Sequence, residues 1–149
     1  MEHYARAALG THGLRSIGLR FFNVYGPGQD PRSPYSGVLS IFMDKSRAGD
    51  PMTIFGDGTQ TRDFIYVEDV VNALRMSVAA FDTLSCEVFN VCSGRSVDLN
   101  TLARTVNEVS GQPVPITYAD GRPGDIKHSL GDPSRAKARL GFASGTSLS

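Results

Sequence analysis

The sequence predicts an α/β protein, and three observations carry that prediction. Segments of strand character alternate with segments of helical character along the whole chain. Residues 16–24, SIGLRFFNV, are β-branched and aromatic, and apolar on both faces, as in a parallel strand covered on both sides. Residues 68–81, EDVVNALRMSVAAF, repeat apolar side chains at Val70, Val71, Leu74 and Val78, the spacing of an amphipathic helix.

The elements follow in order. EHYARAALGTHG reads as a helix running into a glycine stop. After strand 16–24, YGPGQDPRSPYS is dense in Gly and Pro and reads as a loop. GVLSIFMDKSRAGD has helical periodicity, with Val38, Ile41 and Phe42 on one side, Ser36 as N-cap and Gly49 as stop. MTIFG is a short strand, residues 56–58 a glycine turn, and TRDFIYV another strand. EVFNVCS is a strand beyond the 68–81 helix. VDLNTLARTVNEVSG is a helix, with Asp98 as N-cap and Gly111 as its stop. PVPITYA is a strand. DPSRAKARLG is a last helix, with Asp132 as N-cap and Pro133 at the first helical position.

Composition narrows the function. Apolar residues make up 40% and charged residues 20%, enough for a core and unlike a disordered chain. Formal net charge is zero, so nothing draws this chain to nucleic acid. No apolar stretch approaches membrane-spanning length, and MEHYARAALG lacks the pattern of a secretory signal. Cys86 and Cys92 have neither metal-type nor redox-type spacing, and are expected to be free thiols in a reducing cytoplasm. His3, His12 and His128 are scattered, so no metal site is expected. Strand 16–24 is too apolar for an open edge, and GFASGTSLS adds no helix after the last turn. Both features lead to the expectation that the chain is part of something larger, prone to self-association when alone.

One passage poses a chemical question. In GDGTQTRDFIYVEDV, residues 56–70, Arg62 stands where a turn becomes a strand. A guanidinium is planar, always charged, and forks onto phosphate oxygens. The alternative is a surface arginine paired with Asp63 or Asp57, since exposed ion pairs are common and weak.

Four stretches answer it together: LRFFNVYGPGQDP, then GVLSIFMDKSRAGDPMTIFGDGTQTRDFIYVEDVVNAL, then EVFNVCSGRSVDLNTLA, then GRPGDIKHSLGDPSRAKARLGF. In this order they resemble the C-terminal half of an extended short-chain dehydrogenase/reductase of the NAD-dependent epimerase/dehydratase family. The resemblance runs nearly the whole chain and is nearest to UDP-glucose and UDP-N-acetylglucosamine 4-epimerases. It implies the C-terminal part of a Rossmann-type parallel sheet plus a small α/β substrate-binding lobe over residues 1–149. It implies NAD as cofactor, a UDP-sugar as substrate and a homodimer at full length. A 4,6-dehydratase, decarboxylase or reductase, or a non-catalytic nucleotide-sugar binding module, remains the alternative.

The resemblance also assigns residues. Arg62 faces the nucleotide-sugar diphosphate; apart from the resemblance, Asp63 and Asp57 are expected to keep it aligned as its acidic neighbours in the passage. Arg122, in GRPGD, makes a second diphosphate or ribose contact, with Asp125 beside it. Asn23 touches the diphosphate, and Phe22 lies by the nicotinamide; the alternative for Phe22 is a plain core residue. Phe55 lies against the uracil ring, or else packs in the core. Gly37, Val38 and Leu39 offer backbone to the base at a helix N-terminus, where N–H groups are unsatisfied. The family's Tyr-x-x-x-Lys pair and its G-x-G-x-x-G turn occur nowhere in this sequence. No catalytic residue is therefore assigned, and the NAD-binding portion is expected to be absent.

Overall fold

The structure is a computed structural model and describes residues 1–33 and 36–148. Its elements, in chain order, are α1 (Glu2–His12), β1 (Ser16–Phe21), β2 (Asn23–Tyr25), α2 (Val38–Ala48), β3 (Met52–Phe55), β4 (Thr61–Arg62) and β5 (Phe64–Tyr66). They continue with α3 (Val67–Ala79), β6 (Cys86–Val91), β7 (Val97–Asp98), α4 (Leu99–Ser110), β8 (Ile116–Ala119) and α5 (Ser134–Leu140). The α/β alternation is as expected. Of the loop expected over 25–36, Pro34 and Tyr35 lie outside the described residues.

The apolar run 16–24 is two ladders rather than one strand. β1 pairs in parallel with β6, and β2 pairs in parallel with β5. Successive backbone N–H groups of an extended chain point to opposite edges. Phe22 N–H donates to Val91 O at 3.2 Å, and Asn23 N–H donates to Asp63 O at 3.0 Å. The two ladders therefore meet at Phe22, with β6 along one edge and β5 along the other. Coverage is thinner than expected: β1 is half-buried at best, and Phe21 is exposed. Among the described residues β1 pairs with β6 alone, so its other edge is open.

TRDFIYV also divides, at Asp63. β4 runs antiparallel to β7, whereas β5 runs parallel to β2. Val67 already belongs to α3, with Tyr66 in the N-cap position. β3 and β8 form a further parallel ladder.

β5 divides the interior. Side chains alternate along a strand, so neighbours face opposite sides. Phe64 joins one core with Phe42, Met52, Ile54, Leu102 and Val106, under α2 and α4. Ile65 joins the other with Phe89, Val91, Ala73, Ala136 and Phe142, under α3 and α5.

Two helix readings are corrected. On α3 the stripe is displaced: Val70 is buried, while Val71, Leu74 and Val78 are exposed. The packed face is Asp69, Val70, Ala73 and Ser77, where small side chains let the helix approach closely and Ser77 Oγ is satisfied by Ala73 O. On α2, Val38, Ile41 and Phe42 do share a side: all three line the cleft described below, with Phe42 buried and Ile41 exposed. Ser36 does not cap α2; Gly37 occupies the N-cap, and Ser36 Oγ donates to Asp30 O instead. The other caps are close to expectation. Asp98 accepts from Thr101 N–H at 2.9 Å and Gly111 closes α4 in the left-handed region. At α5, Pro133 is the N-cap residue, yet Asp132 still accepts Ser134 N–H at 2.9 Å.

The segment after α5 is tied down rather than loose. Buried Asp69 accepts from Ser144 Oγ, Gly145 N–H and Thr146 N–H, and Tyr25 Oη donates to Ser147 O.

Candidate nucleotide-sugar cleft

A cleft of about 400 Å³ lies between the N-terminus of α2, the β3 and β4 strands, and the loop at 122–125. Asn23, Val38, Phe55, Arg62, Arg122 and Asp125 all line it. Residues up to 102 positions apart in the sequence thus converge on one space.

Arg62 is placed by β4. Its pairing with Val97 of β7 fixes the strand, and alternation sends Arg62 to the cleft while Asp63 turns inward. Arg62 Nη2 donates to Asp125 Oδ1 at 2.5 Å, and Nη1 donates to Ile126 O at 2.5 Å and Thr61 O at 2.8 Å. Only 16% of the side chain is exposed. The expected alignment by Asp63 and Asp57 is not what holds it. Asp57 instead accepts Lys127 Nζ, at 2.9 and 3.1 Å, and the Thr59 N–H and hydroxyl. The Lys127 hydrogen bond, then those of Thr59, hold the Asp57 carboxyl well below the usual carboxylate range. Asp63 is fully buried and bonds elsewhere. Sequence adjacency to Arg62 is misleading because neighbours on a strand face apart.

Arg122 lies over Phe55, its guanidinium carbon 3.8 Å from the ring centroid. This is a cation–π contact, and one face of the Phe55 ring is covered by it. Asp125 N–H closes the loop onto Arg122 O at 3.2 Å. The turn at 56–58 is held from the other side: Gly58 has φ 76°, and a Cβ there would stand 2.2 Å from Asn100 Oδ1, so only glycine fits.

Asn23 donates its side-chain amide to Asp63 O at 3.0 Å. Gly37 holds the N-cap position and Val38 faces the cleft. The Leu39 side chain does not: it lines a separate cavity with Tyr25 and Met43, as the next residue on a helix must point about 100° away. Phe22 lies outside the cleft as well, on an adjoining shallow surface with Arg20, Asn90 and Ser129. Asn23 belongs to both surfaces and links them.

Thr53 and Gln60 line the cleft and were missed from the sequence. Period-two alternation on MTIF puts Thr53 on the face of Phe55 and opposite buried Met52 and Ile54, which was a usable signal. Gln60 is buried in the turn, donating Nε2–H to Phe55 O at 2.6 Å, and no sequence pattern marks it. Among the described residues no group of three or more His, Cys, Asp or Glu could hold a metal ion. No helix of the described residues is long and apolar enough to cross a membrane.

Residues 1–92 match the NAD dependent epimerase/dehydratase family. The chain belongs to that family. A dTDP-L-rhamnose 4-epimerase of Burkholderia thailandensis is 34% identical over 95% of this chain and 39% of its own. Among solved structures, the UDP-glucose 4-epimerase of Thermotoga maritima, with UDP-glucose, superposes with a TM-score of 0.91 at 37% identity. It covers 99% of this chain, which spans 46% of it. The UDP-N-acetylglucosamine 4-epimerase of Methanobrevibacter ruminantium, in complex with UDP-N-acetylmuramic acid, gives 0.89 at 38% identity. It covers 96% of this chain and is itself 45% covered. The chain thus spans under half the length of these relatives. As a family member it carries parallel ladders like those of Rossmann-type epimerases, as a partial fold.

Proposed function

We propose that the cleft binds the nucleoside diphosphate of a UDP-hexose and that the chain is the substrate-holding portion of an NAD-dependent sugar 4-epimerase. One observation carries the reading: two arginines, Arg62 and Arg122, stand at one cleft with Phe55 and the start of α2. Arginine forks suit a diphosphate. An aromatic face suits a pyrimidine, a contact worth about 1–3 kcal/mol where bases stack on proteins. Free N–H groups at a helix start suit the oxygens of a base or ribose. Gly37, Val38 and Leu39 supply that backbone, Asn23 reaches the diphosphate from the strand end, and Asp125 faces the ribose.

In this reading Asp125 neutralises Arg62 until a diphosphate competes for the guanidinium. Arg122 leaves one face of Phe55, or the base uses the other. NAD supplies a hydride acceptor and donor for the sugar C4 in such enzymes. Toward NAD this sequence offers Phe22 beside Asn23 and no Gly-rich phosphate turn, so these residues do not form a cradle for the cofactor's diphosphate. Without a Tyr-x-x-x-Lys pair they also lack a poised acid/base, and binding alone does not lower a chemical barrier. The chain by itself is therefore expected to bind and not to turn over. A homodimer at full length and a cytoplasmic setting, consistent with two free cysteines, complete the proposal.

Calorimetric titration with UDP, dTDP and inorganic diphosphate tests the reading. UDP is expected to bind more tightly than inorganic diphosphate. Preference for dTDP would move the reading to the substrate class of the Burkholderia relative's name. No binding of either nucleotide would remove the cleft from the site.

A further inference from the structure

Asp63 is not needed to neutralise Arg62, yet its carboxylate is fully buried. A buried charge is costly unless hydrogen bonds surround it. Here they do. Oδ1 accepts Ser93 N–H at 2.8 Å and Ser93 Oγ–H at 2.7 Å; Oδ2 accepts Gly94 N–H at 2.9 Å and Gly131 N–H at 3.2 Å. Its backbone oxygen accepts both Asn23 N–H and the Asn23 side-chain amide, each at 3.0 Å. No cation makes an ion pair with it among the described residues. Backbone N–H dipoles converge on the carboxylate instead, as they do in anion-binding nests.

The partners of this residue are the supports of the cleft. Arg62 precedes it on the chain. Asn23 hangs from its carbonyl. Gly131 is the far anchor of the loop that carries Arg122 and Asp125. That loop runs beside β4, with Lys127 O accepting Thr61 N–H at 2.8 Å and Ser129 N–H donating to Thr61 O at 3.1 Å. It then ends on the Asp63 carboxylate. Gly131 itself is a close approach: a Cβ there would stand 2.4 Å from Cys92 Sγ and 2.8 Å from Phe22 Cζ. No side chain at 131 could take over the anchoring, so the backbone N–H does it.

We propose that Asp63 is the positioning residue of the cleft, its one buried carboxylate setting where Asn23, Arg62 and the Arg122–Asp125 loop stand relative to each other. The effect on ligand rests on the nucleotide-sugar reading above; the effect on the loop does not. Asp63 touches no ligand in this scheme. It acts by holding Gly131 and the turn after β6 to the strand that bears Arg62.

Two measurements test it, one of them free of any ligand. In the unmodified protein, hydrogen exchange is expected to show the Ser93, Gly94 and Gly131 amides protected and opening together, since one carboxylate holds all three. Gly131 exchanging at the rate of an open loop would overturn the proposal. The second uses Asp63→Asn, which keeps the shape but turns an amide group toward backbone donors. Gly131 and Ser129 protection is expected to fall at least 100-fold, with Leu102 in the other core changing far less. UDP affinity is expected to fall at least 10-fold at a temperature where the helical signal is intact. The penalty for Arg122→Ala is expected to shrink in the Asp63→Asn background, although the two side chains do not touch. Unchanged Gly131 protection in a folded Asp63→Asn protein would refute positioning, and so would full additivity with Arg122→Ala. If Asp63→Asn does not fold, the exchange pattern of the unmodified protein decides. Absence of UDP binding by the unmodified protein would defeat the nucleotide-sugar reading and leave the exchange result to judge positioning.

Discussion

The lobe around α4 and the layer around α1 are built from similar helices, but they are held in different ways. α4 buries Leu99, Leu102, Ala103 and Val106 and is capped by Asp98. α1 is nearly as long and buries nothing. Its firmest visible tie is an exposed ion pair, Glu2 with Arg20. Both segments form helices, but only α4 buries a face in a core, and packing of such a face supplies most of a helix's stability in a protein. The cleft is built on the buried side. β3, β4 and the starts of α2 and α4 frame it, so its side chains stand on a rigid base. The α1 layer offers an open strand edge and exposed Tyr4, Leu14 and Phe21.

The largest effects are expected where the core is closed. Phe42 is 1% exposed and packs with Met52, Ile54 and Leu102. Phe42→Ala is expected to cost about 3–5 kcal/mol, measured by denaturant unfolding. A cost under about 1 kcal/mol would mean that the α2–α4 lobe is not the stable one. Next comes the site. Arg62→Ala is expected to weaken UDP binding by about 1.5–3 kcal/mol, the scale of hydrogen bonds to charged groups. Unchanged UDP affinity would take Arg62 out of the cleft's chemistry. The open side has its own signature. β1's unpaired edge and exposed Phe21 are expected to drive self-association, visible as concentration-dependent sedimentation. A well-behaved monomer over a wide range would show that the edge is harmless.

Between the two regions lies Cys92, fully buried at the end of β6 and facing Asp63. Burial first, and the Asp63 charge second, push its thiol up from 9.0 to about 11. The folded state therefore keeps a proton that the unfolded chain releases earlier. The thiol's contribution is complete below the unfolded value and is lost as pH rises toward the folded one. The stability difference between the unmodified protein and Cys92→Ala is expected to shrink between about pH 9 and 11. A difference constant with pH would show that the thiol is not shielded.

Much of this was legible in the sequence, for reasons that can be named. Apolar runs and stop glycines placed the helices and strands, and Asp98 announced its cap by residue type. Strand partners were not legible. SIGLRFFNV and TRDFIYV read as single strands because hydrophobicity does not report which edge a backbone N–H faces. The α3 stripe was misplaced because Ala73 and Ser77 pack by being small, and a hydrophobic count undervalues them. In the cleft, Arg62, Arg122, Asn23, Phe55, Val38 and Asp125 came from the resemblance and converge in the structure. The pairing of Arg62 with Asp125 did not come from it, since 63 residues separate them and only the loop's path joins them.

The smallest effect is expected at α1, and it is the sharpest test of the contrast. Glu2 and Arg20 form a two-point pair, with Nε to Oε1 at 2.7 Å and Nη2 to Oε2 at 2.6 Å. The Arg20 hydrogen bond draws the Glu2 carboxyl below its usual range, so any contribution is present above the unfolded value and fades as pH falls. Geometry this good suggests a strong interaction, but both side chains stand in solvent, 44% and 58% exposed. Water and salt screen such a pair, and ordering two long side chains offsets the attraction. The helix it holds also has no fully buried residue to lose, only the half-buried Ala5, Ala8 and Leu9. Glu2→Gln is therefore expected to leave the denaturation midpoint unchanged while raising exchange of the α1 amides alone. A midpoint shift comparable to that of Phe42→Ala would mean that α1 is coupled to the core through contacts other than burial, and the two regions would then be one cooperative unit.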